Sequence, residues 1–338
     1  MKKLHNSYLG NILARIFGKP ILKGIYNSKK KYQEVLETHS SAGVLQKIEM
    51  WHSAEQRAVI NHYRPDEVLI EQQVWNPQGV LTFSQRIEDG KIYKEHFYAS
   101  GSIQERQTGI LTDDARSYAL IRKESWYEDG TSCTQQICTA EGIKILDRAW
   151  YPDGSLKREQ EYNDTGACIL HTQFHPNGII SYIEKYRYPG MVVEIVEYHA
   201  DGSKKSYDRF CALGKEICSY EWYDNHLLKS AKIHTCNEIH YHTWRDQGQI
   251  TMYPIYMHDK HDVPVQRYES VGPLESVEIY TLDNKIKKEH IYYSSGEEEI
   301  FHYDHNEEYH GKQYKKFADG VEVYEVYWHG EKCIPMHT

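Results

Sequence analysis

Five side chains able to ligate a transition metal, His234, Cys236, Glu238, His240 and His242, alternate along one short stretch of the chain. On a single straight strand their shared parity would set all five on one face, a sulfur, nitrogen and oxygen donor set that suits zinc. A turn is expected at Glu238, however, and a two-residue hairpin loop at Asn237 and Glu238 would pair Cys236 with Ile239. His240 and His242 would then face away from His234 and Cys236. The cluster therefore needs an odd-length loop, and the expected arrangement is solvent-facing strand residues. HDKHD, at His258 to Asp262, shares the letters of a metal-phosphohydrolase dyad. That chemistry uses helical scaffolds with distant His and Asp partners, whereas Lys260 falls at an expected turn tip. The chain has no Gly-rich phosphate loop, nucleophile elbow, CxxC pair or HExxH. The expectation is a non-catalytic protein with no metal and no cofactor.

These placements rest on a repeat. WYEDG at Trp126–Gly130 returns as WYPDG at Trp150–Gly154, FHPNG at Phe174–Gly178 and YHADG at Tyr198–Gly202, every 24 residues. Gly142, Gly166, Gly190 and Gly214 interleave, so a turn mark falls every 12 residues. The interval continues through Gly248, Lys260, Gly272, Asn284, Gly296, Glu308 and Gly320, and upstream Gly79, Gly90 and Gly101 are spaced by 11. Gly and Asn supply the positive φ of tight hairpin turns, and the intervening runs, such as SLKREQEY and GIISYIEKYRY, are rich in Tyr, Ile and Val without a helical period. About three turn residues leave strands of about nine. Strands joined by short turns are antiparallel neighbours, so turns 24 residues apart share an edge.

The expected fold is all-β: one long antiparallel meander of 12-residue strand–turn units, or 24-residue hairpin repeats, over residues 40–338. The aromatic four residues before each mark, Trp126, Trp150 and Trp222 among them, would form a ladder of rings that serves as packing or as a stacking surface. Two slips interrupt the rhythm. Gly101 and Gly130 are 29 residues apart, with the excess in LTDDARSYALIRKES, which reads as a longer loop or bulge. Gly202 and Gly248 are 46 apart instead of 48.

Residues 1–39 form a basic segment in which Leu9, Ile12, Leu13, Ile16 and Phe17 fall at helical spacing and Pro20 ends the pattern. A short helical cap over the first strand is expected. Residues 8–19, with Arg15 and Lys19 on a basic face, could instead contact an anionic membrane surface or dock a partner, which would make the chain a scaffold. Residues 1–33 carry eight Lys and Arg and no acid, which leaves −17 on the remainder of a chain whose net charge is −9. An acidic body disfavours nucleic acid as ligand and favours basic protein partners. Glu297, Glu298 and Glu299 after one turn, and Glu307 and Glu308 at the next, could steer such a partner or simply keep the sheet soluble. Seven cysteines with no regular spacing, and apolar runs too short for a membrane span, lead to the expectation of a reduced cytoplasmic protein.

The aromatic–aromatic–x–Asp/Asn–Gly opening, the run SLKREQEYNDTG and the period resemble the MORN-repeat-variant family of bacterial antitoxin and immunity proteins. The likeness is best over residues 122–224 and looser over 60–121 and 244–330. The second glycine and the Glu-Gly that often close a family unit are lacking, as at Cys168 and Lys215. The YD repeats of large polymorphic toxins are similar in phrase, but they form far larger shells. The family resemblance implies a non-catalytic binding protein that neutralises a toxin by direct contact.

Overall fold

A computed structural model of the chain describes residues 21–24, 34–53, 55–66, 68–112, 117–188, 190–258 and 264–333. Every element among them is a strand. The chain divides into two units, residues 1–167 and 168–338.

The first unit begins with β1 (Ile21–Gly24), β2 (Glu34–His39), β3 (Leu45–Trp51), β4 (Arg57–Tyr63), β5 (Leu69–Trp75) and β6 (Leu81–Glu88). It continues with β7 (Lys91–Phe97), β8 (Ile103–Leu111), β9 (Tyr118–Trp126), β10 (Ser132–Cys138), β11 (Lys144–Trp150) and β12 (Leu156–Tyr162). Each strand pairs antiparallel with the next from β1 to β12. Pairing thus starts inside residues 1–39, at β1 and β2, upstream of the boundary expected at residue 40. Residues 8–19, where the helical cap was expected, lie outside the described residues.

The hairpin turn explains the recurring phrase. In WYEDG the Gly130 N–H donates to the Tyr127 carbonyl at 2.9 Å, and the Tyr127 N–H donates to the Thr131 carbonyl at 2.8 Å. This is a three-residue loop built on a type I turn, closed by Gly130 at φ 88 in the left-handed region. A side chain there costs about 1–2 kcal/mol, which fixes the glycine. Asp129 accepts the Thr131 N–H at 2.8 Å and stiffens the loop. The second aromatic ties the edge together. The Tyr127 hydroxyl donates to the Trp150 carbonyl at 3.1 Å, as Tyr98 does to Trp126 at 2.8 Å. Turns 24 residues apart are therefore neighbours on one edge, as the repeat requires.

Most strands have seven residues, shorter than the nine expected, and many turns, such as those between β9 and β10 and between β11 and β12, close with a register shift that removes paired positions. The excess between Gly101 and Gly130 goes chiefly into β8 and β9, which have nine residues each, with a bulge at Thr108/Gly109. A Cβ on Gly109 would collide with the Tyr118 ring, so this glycine serves close approach and not a turn.

The second unit comprises β13 (Cys168–Phe174), β14 (Ile180–Tyr188), β15 (Met191–Tyr198), β16 (Lys204–Phe210), β17 (Glu216–Trp222), β18 (Leu228–His234) and β19 (Glu238–Trp244). Then come β20 (Thr251–His258), β21 (Pro264–Val271), β22 (Leu274–Thr281) and β23 (Ile286–Tyr292). Last are β24 (Glu298–His302), β25 (Gly311–Lys316), β26 (Glu322–Trp328) and β27 (Glu331–Lys332). The meander runs from β13 to β19 and from β22 to β27, but β19 pairs with β22. The β20–β21 hairpin is bypassed by this pairing and joins the sheet through one parallel bridge, Val271 to Leu228, which corrects the expectation of one uninterrupted meander. Pro254, which has no N–H to donate, is tolerated in β20 because that strand pairs only with β21. Gly272 is a crossing point and not a hairpin tip: a Cβ there would strike the Arg245 carbonyl. The expected turn at Lys260 lies outside the described residues.

The displaced hairpin covers one face of the sheet and makes the unit's core. Val196, Tyr207, Tyr220, Ala231 and His242 lie opposite one another on consecutive strands and so share that face. Ile255, Met257 and Val271 of the hairpin bury against Tyr207, Tyr220, Trp222, Leu228 and Trp244. Tyr253 meets Trp244 edge-on at 4.6 Å. Glu269 of β21 accepts the Trp222 indole N–H at 3.4 Å and pairs with Lys204 at 2.6 Å, while the Lys204 ammonium sits 5.0 Å from the Trp222 ring.

Candidate functional site

Strand alternation fixes what the opposite face carries. Asp208, Ser219, Lys232, Tyr241 and Glu278 stand opposite one another across β16–β19 and β22, each one position from a residue of the covered face or its continuation. Beside them runs a second row, Ser206, Glu221, Ser230, Thr243 and Ser276. Small hydroxyl residues at the centre, flanked by the larger Phe210, Ile239, Tyr241 and Tyr280, leave a groove of about 570 Å³. Beyond the groove in the second row, Thr243 and Ser276 hydrogen-bond between β19 and β22 at 2.8 Å.

Four carboxylates, Asp208, Glu216, Glu221 and Glu278, and one ammonium, Lys232, line this groove. Lys232 is taken by Glu216 at 2.8 Å, and Lys229 reaches Glu221 at 3.0 Å. Asp208 and Glu278 have no ion-pair partner among the described residues, although Tyr280 donates its hydroxyl to Glu278. Burial pushes the Asp208 carboxyl above its ordinary value, and the nearby Glu216, Glu197 and Glu221 add to the rise against a hydrogen bond from Ser219. Burial also raises Tyr280, reinforced by Glu278. The groove is thus a half-dry, negatively charged furrow. The chemistry that matches such a furrow is a cationic side chain.

The sequence candidates fare differently from one another. Trp222 is buried in the core, 5% exposed, under Glu269, and is closed to a partner. The Trp126 ring lies 5.7 Å from the Arg106 guanidinium, and the Trp150 backbone carbonyl accepts the Tyr127 hydroxyl at 3.1 Å. Glu298 pairs with Lys316 at 3.3 Å and Glu299 with Lys315 at 2.6 Å; as strand neighbours they point to opposite faces. Glu297 accepts Ser295, and Glu307 occupies a turn at φ 64. Glu308 closes the same turn, its N–H donating to Asp304 at 3.2 Å.

The His234 to His242 group is also dispersed. The loop is two residues long, as expected, but sits one position earlier: the Thr235 N–H donates to the Glu238 carbonyl at 2.8 Å, with Cys236 and Asn237 at the tip. His234 then opposes Ile239, while His240 opposes Ile233 and faces the other way. Burial lowers both His234 and His242. The HDKHD segment falls mostly outside the described residues.

No family model matches the chain, and no curated protein sequence does. Among solved structures, the chain is similar to TcdB2-TccC3 without its hypervariable C-terminal region, at 11% identity over 87% of this chain, with a TM-score of 0.13. The chain spans about a fifth of that molecule's length (20%). It is also similar to a porin-like protein from Bacteroides uniformis, at 11% identity over 85% of this chain and 91% of the other, with a TM-score of 0.12.

One group escaped the sequence reading. Asp304, His310 and His329 each offer a ligand atom, and the three atoms lie within 4.8 Å of one another. Their uneven spacing gave no signal; only the shared edge of the turns after β24 and β26 brings them together.

Proposed function

We propose that this chain is a non-catalytic protein-binding repeat protein of antitoxin or immunity type, acting in the cytoplasm, which captures a basic protein partner in the acidic groove of the second unit. One observation carries the reading: one sheet face is covered by the β20–β21 hairpin, and the other presents Asp208 and Glu278, without an ion-pair partner among the described residues, in a furrow lined by the small hydroxyls of Ser219 and Ser230. A Lys or Arg side chain entering the groove would meet carboxylates already partly stripped of water, where charge-assisted hydrogen bonds are strongest. The long row of strands supplies rigidity, so little ordering cost accompanies binding.

The test is calorimetric titration of the full chain with the product of the reading frame next to its gene, using a Lys/Arg-rich peptide as a charge control. The expected outcome is saturable binding that weakens as salt rises, and that drops at least about tenfold in Glu278→Lys, the loss of one close charge pair. Equal affinity for the wild type and this variant would remove the groove from the account. Failure of the neighbouring product to bind at all would remove the antitoxin reading.

A further inference from the structure

We infer that Asp304, His310 and His329 form a binding site for a borderline divalent cation, represented by Zn2+, at one edge of the second unit. Asp304 follows β24. Its Oδ1 accepts the Asn306 and Glu308 N–H groups at 2.8 and 3.2 Å, which leaves Oδ2 turned to the His329 Nδ1. His310 precedes β25 and is held by its own N–H, which donates to the His302 carbonyl at 2.9 Å. His329 begins the two-residue turn between β26 and β27 at φ 46, a place where Asn or Gly is ordinary. This unusual choice sets its imidazole above Asp304.

An Asp304–His329 pair alone would explain two of the three residues. It leaves His310 unexplained: the Nδ1 atom of that ring is buried with no hydrogen-bond partner, although the ring packs 4.9 Å from His329 and 4.6 Å from Trp328. A buried imidazole nitrogen without a partner is the demand that a bound cation answers. Zinc bonds of about 2.0–2.2 Å set tetrahedral donors roughly 3.3 Å apart, so side-chain rotation is enough to close a triad within 4.8 Å. Two imidazoles and one carboxylate favour Zn2+, Ni2+ or Cu2+ over Mg2+ and Ca2+. The Asp304 side chain is 5% exposed and that of His329 43%, so the carboxylate lies at the floor and the outer coordination position opens to water. The ion would clasp the β26–β27 hairpin to the turn between β24 and β25.

Calorimetric titration of the EDTA-treated full chain with Zn2+ tests this. One ion should bind per chain with a micromolar or tighter dissociation constant, Mg2+ should give no heat, and His329→Asn should weaken Zn2+ by roughly tenfold or more, a loss that even an outer partner of a metal ligand causes. Asn accepts positive φ, so this variant keeps the turn while removing the imidazole. The visible spectrum of the Co2+-loaded wild type should show the strong bands of a tetrahedral site, a readout that needs no variant. Absence of one-to-one binding into the millimolar range, or equal affinity in the wild type and His329→Asn, would overturn the site.

Discussion

Truncating Ile255 to alanine is the most direct probe of the hairpin that seals the second unit. Its side chain is fully buried, at 0% exposure, among Trp222, Leu228 and Trp244, and it belongs to a strand that pairs only with β21. Removing three carbons there forfeits their transfer free energy and leaves a cavity under a hairpin that the sheet holds by a single parallel bridge and the Glu269 contacts, a combined loss of about 2–5 kcal/mol. For a unit of this size each kcal/mol lowers the melting temperature by roughly 2–4 °C, which puts the expected fall at roughly 4–20 °C. Met252, on the same strand but 58% exposed, is the control: Met252→Ala should change stability by less than about 0.5 kcal/mol. Urea unfolding followed by tryptophan emission reads the result, because Trp222 and Trp244 lie beneath the hairpin and report its departure. Equal and small effects of the two variants would show that the hairpin does not dock on this face, and the description of the core would fail with it.

Two further outcomes follow from single contacts. Tyr127→Phe removes the donor to the Trp150 carbonyl while keeping the ring, and should cost about 0.5–1.5 kcal/mol by chemical denaturation; no loss would show that the tie between same-edge turns is passive. Burial raises Asp208 in the folded state, so the folded chain holds that proton more tightly than the unfolded chain, and stability falls as pH rises from the ordinary carboxyl value through the raised one. Asp208→Asn should therefore be more stable than the wild type at neutral pH, and the gain should vanish below the ordinary aspartate value of 3.8. A gain that persists in acid would rule out the carboxylate as its source.

The periodic glycines made the strands and their neighbours legible, because a left-handed φ at Gly130 or Gly154 is a local demand that any hairpin of this type imposes. What the sequence concealed is non-local. Pro254 was the available warning that β20 is an edge strand, yet nothing in the residues themselves says that β19 bypasses it to reach β22. The groove was hidden for the same reason. Ser219 and Ser230 are unremarkable until register sets them diagonally across β17 and β18 on one face, and Asp208 gains its raised affinity for a proton only from the walls that register erects. Trp222 shows the opposite error: its place in the aromatic ladder was right, but the covering hairpin turned a candidate surface into core.

The bypass also dictates an order of assembly. Within the second unit, as the chain emerges from the ribosome, each new strand can pair with the one before it, from β13 through β19. There pairing must stop. The outer margin of β19 has no partner until residues 245–273 have emerged and Leu274 brings β22 alongside. During that interval the β20–β21 hairpin, whose two strands need only each other, can close and settle over Trp222 and Trp244. The hairpin can thus be in place before the gap is filled, which would shorten the time for which a naked margin invites another chain.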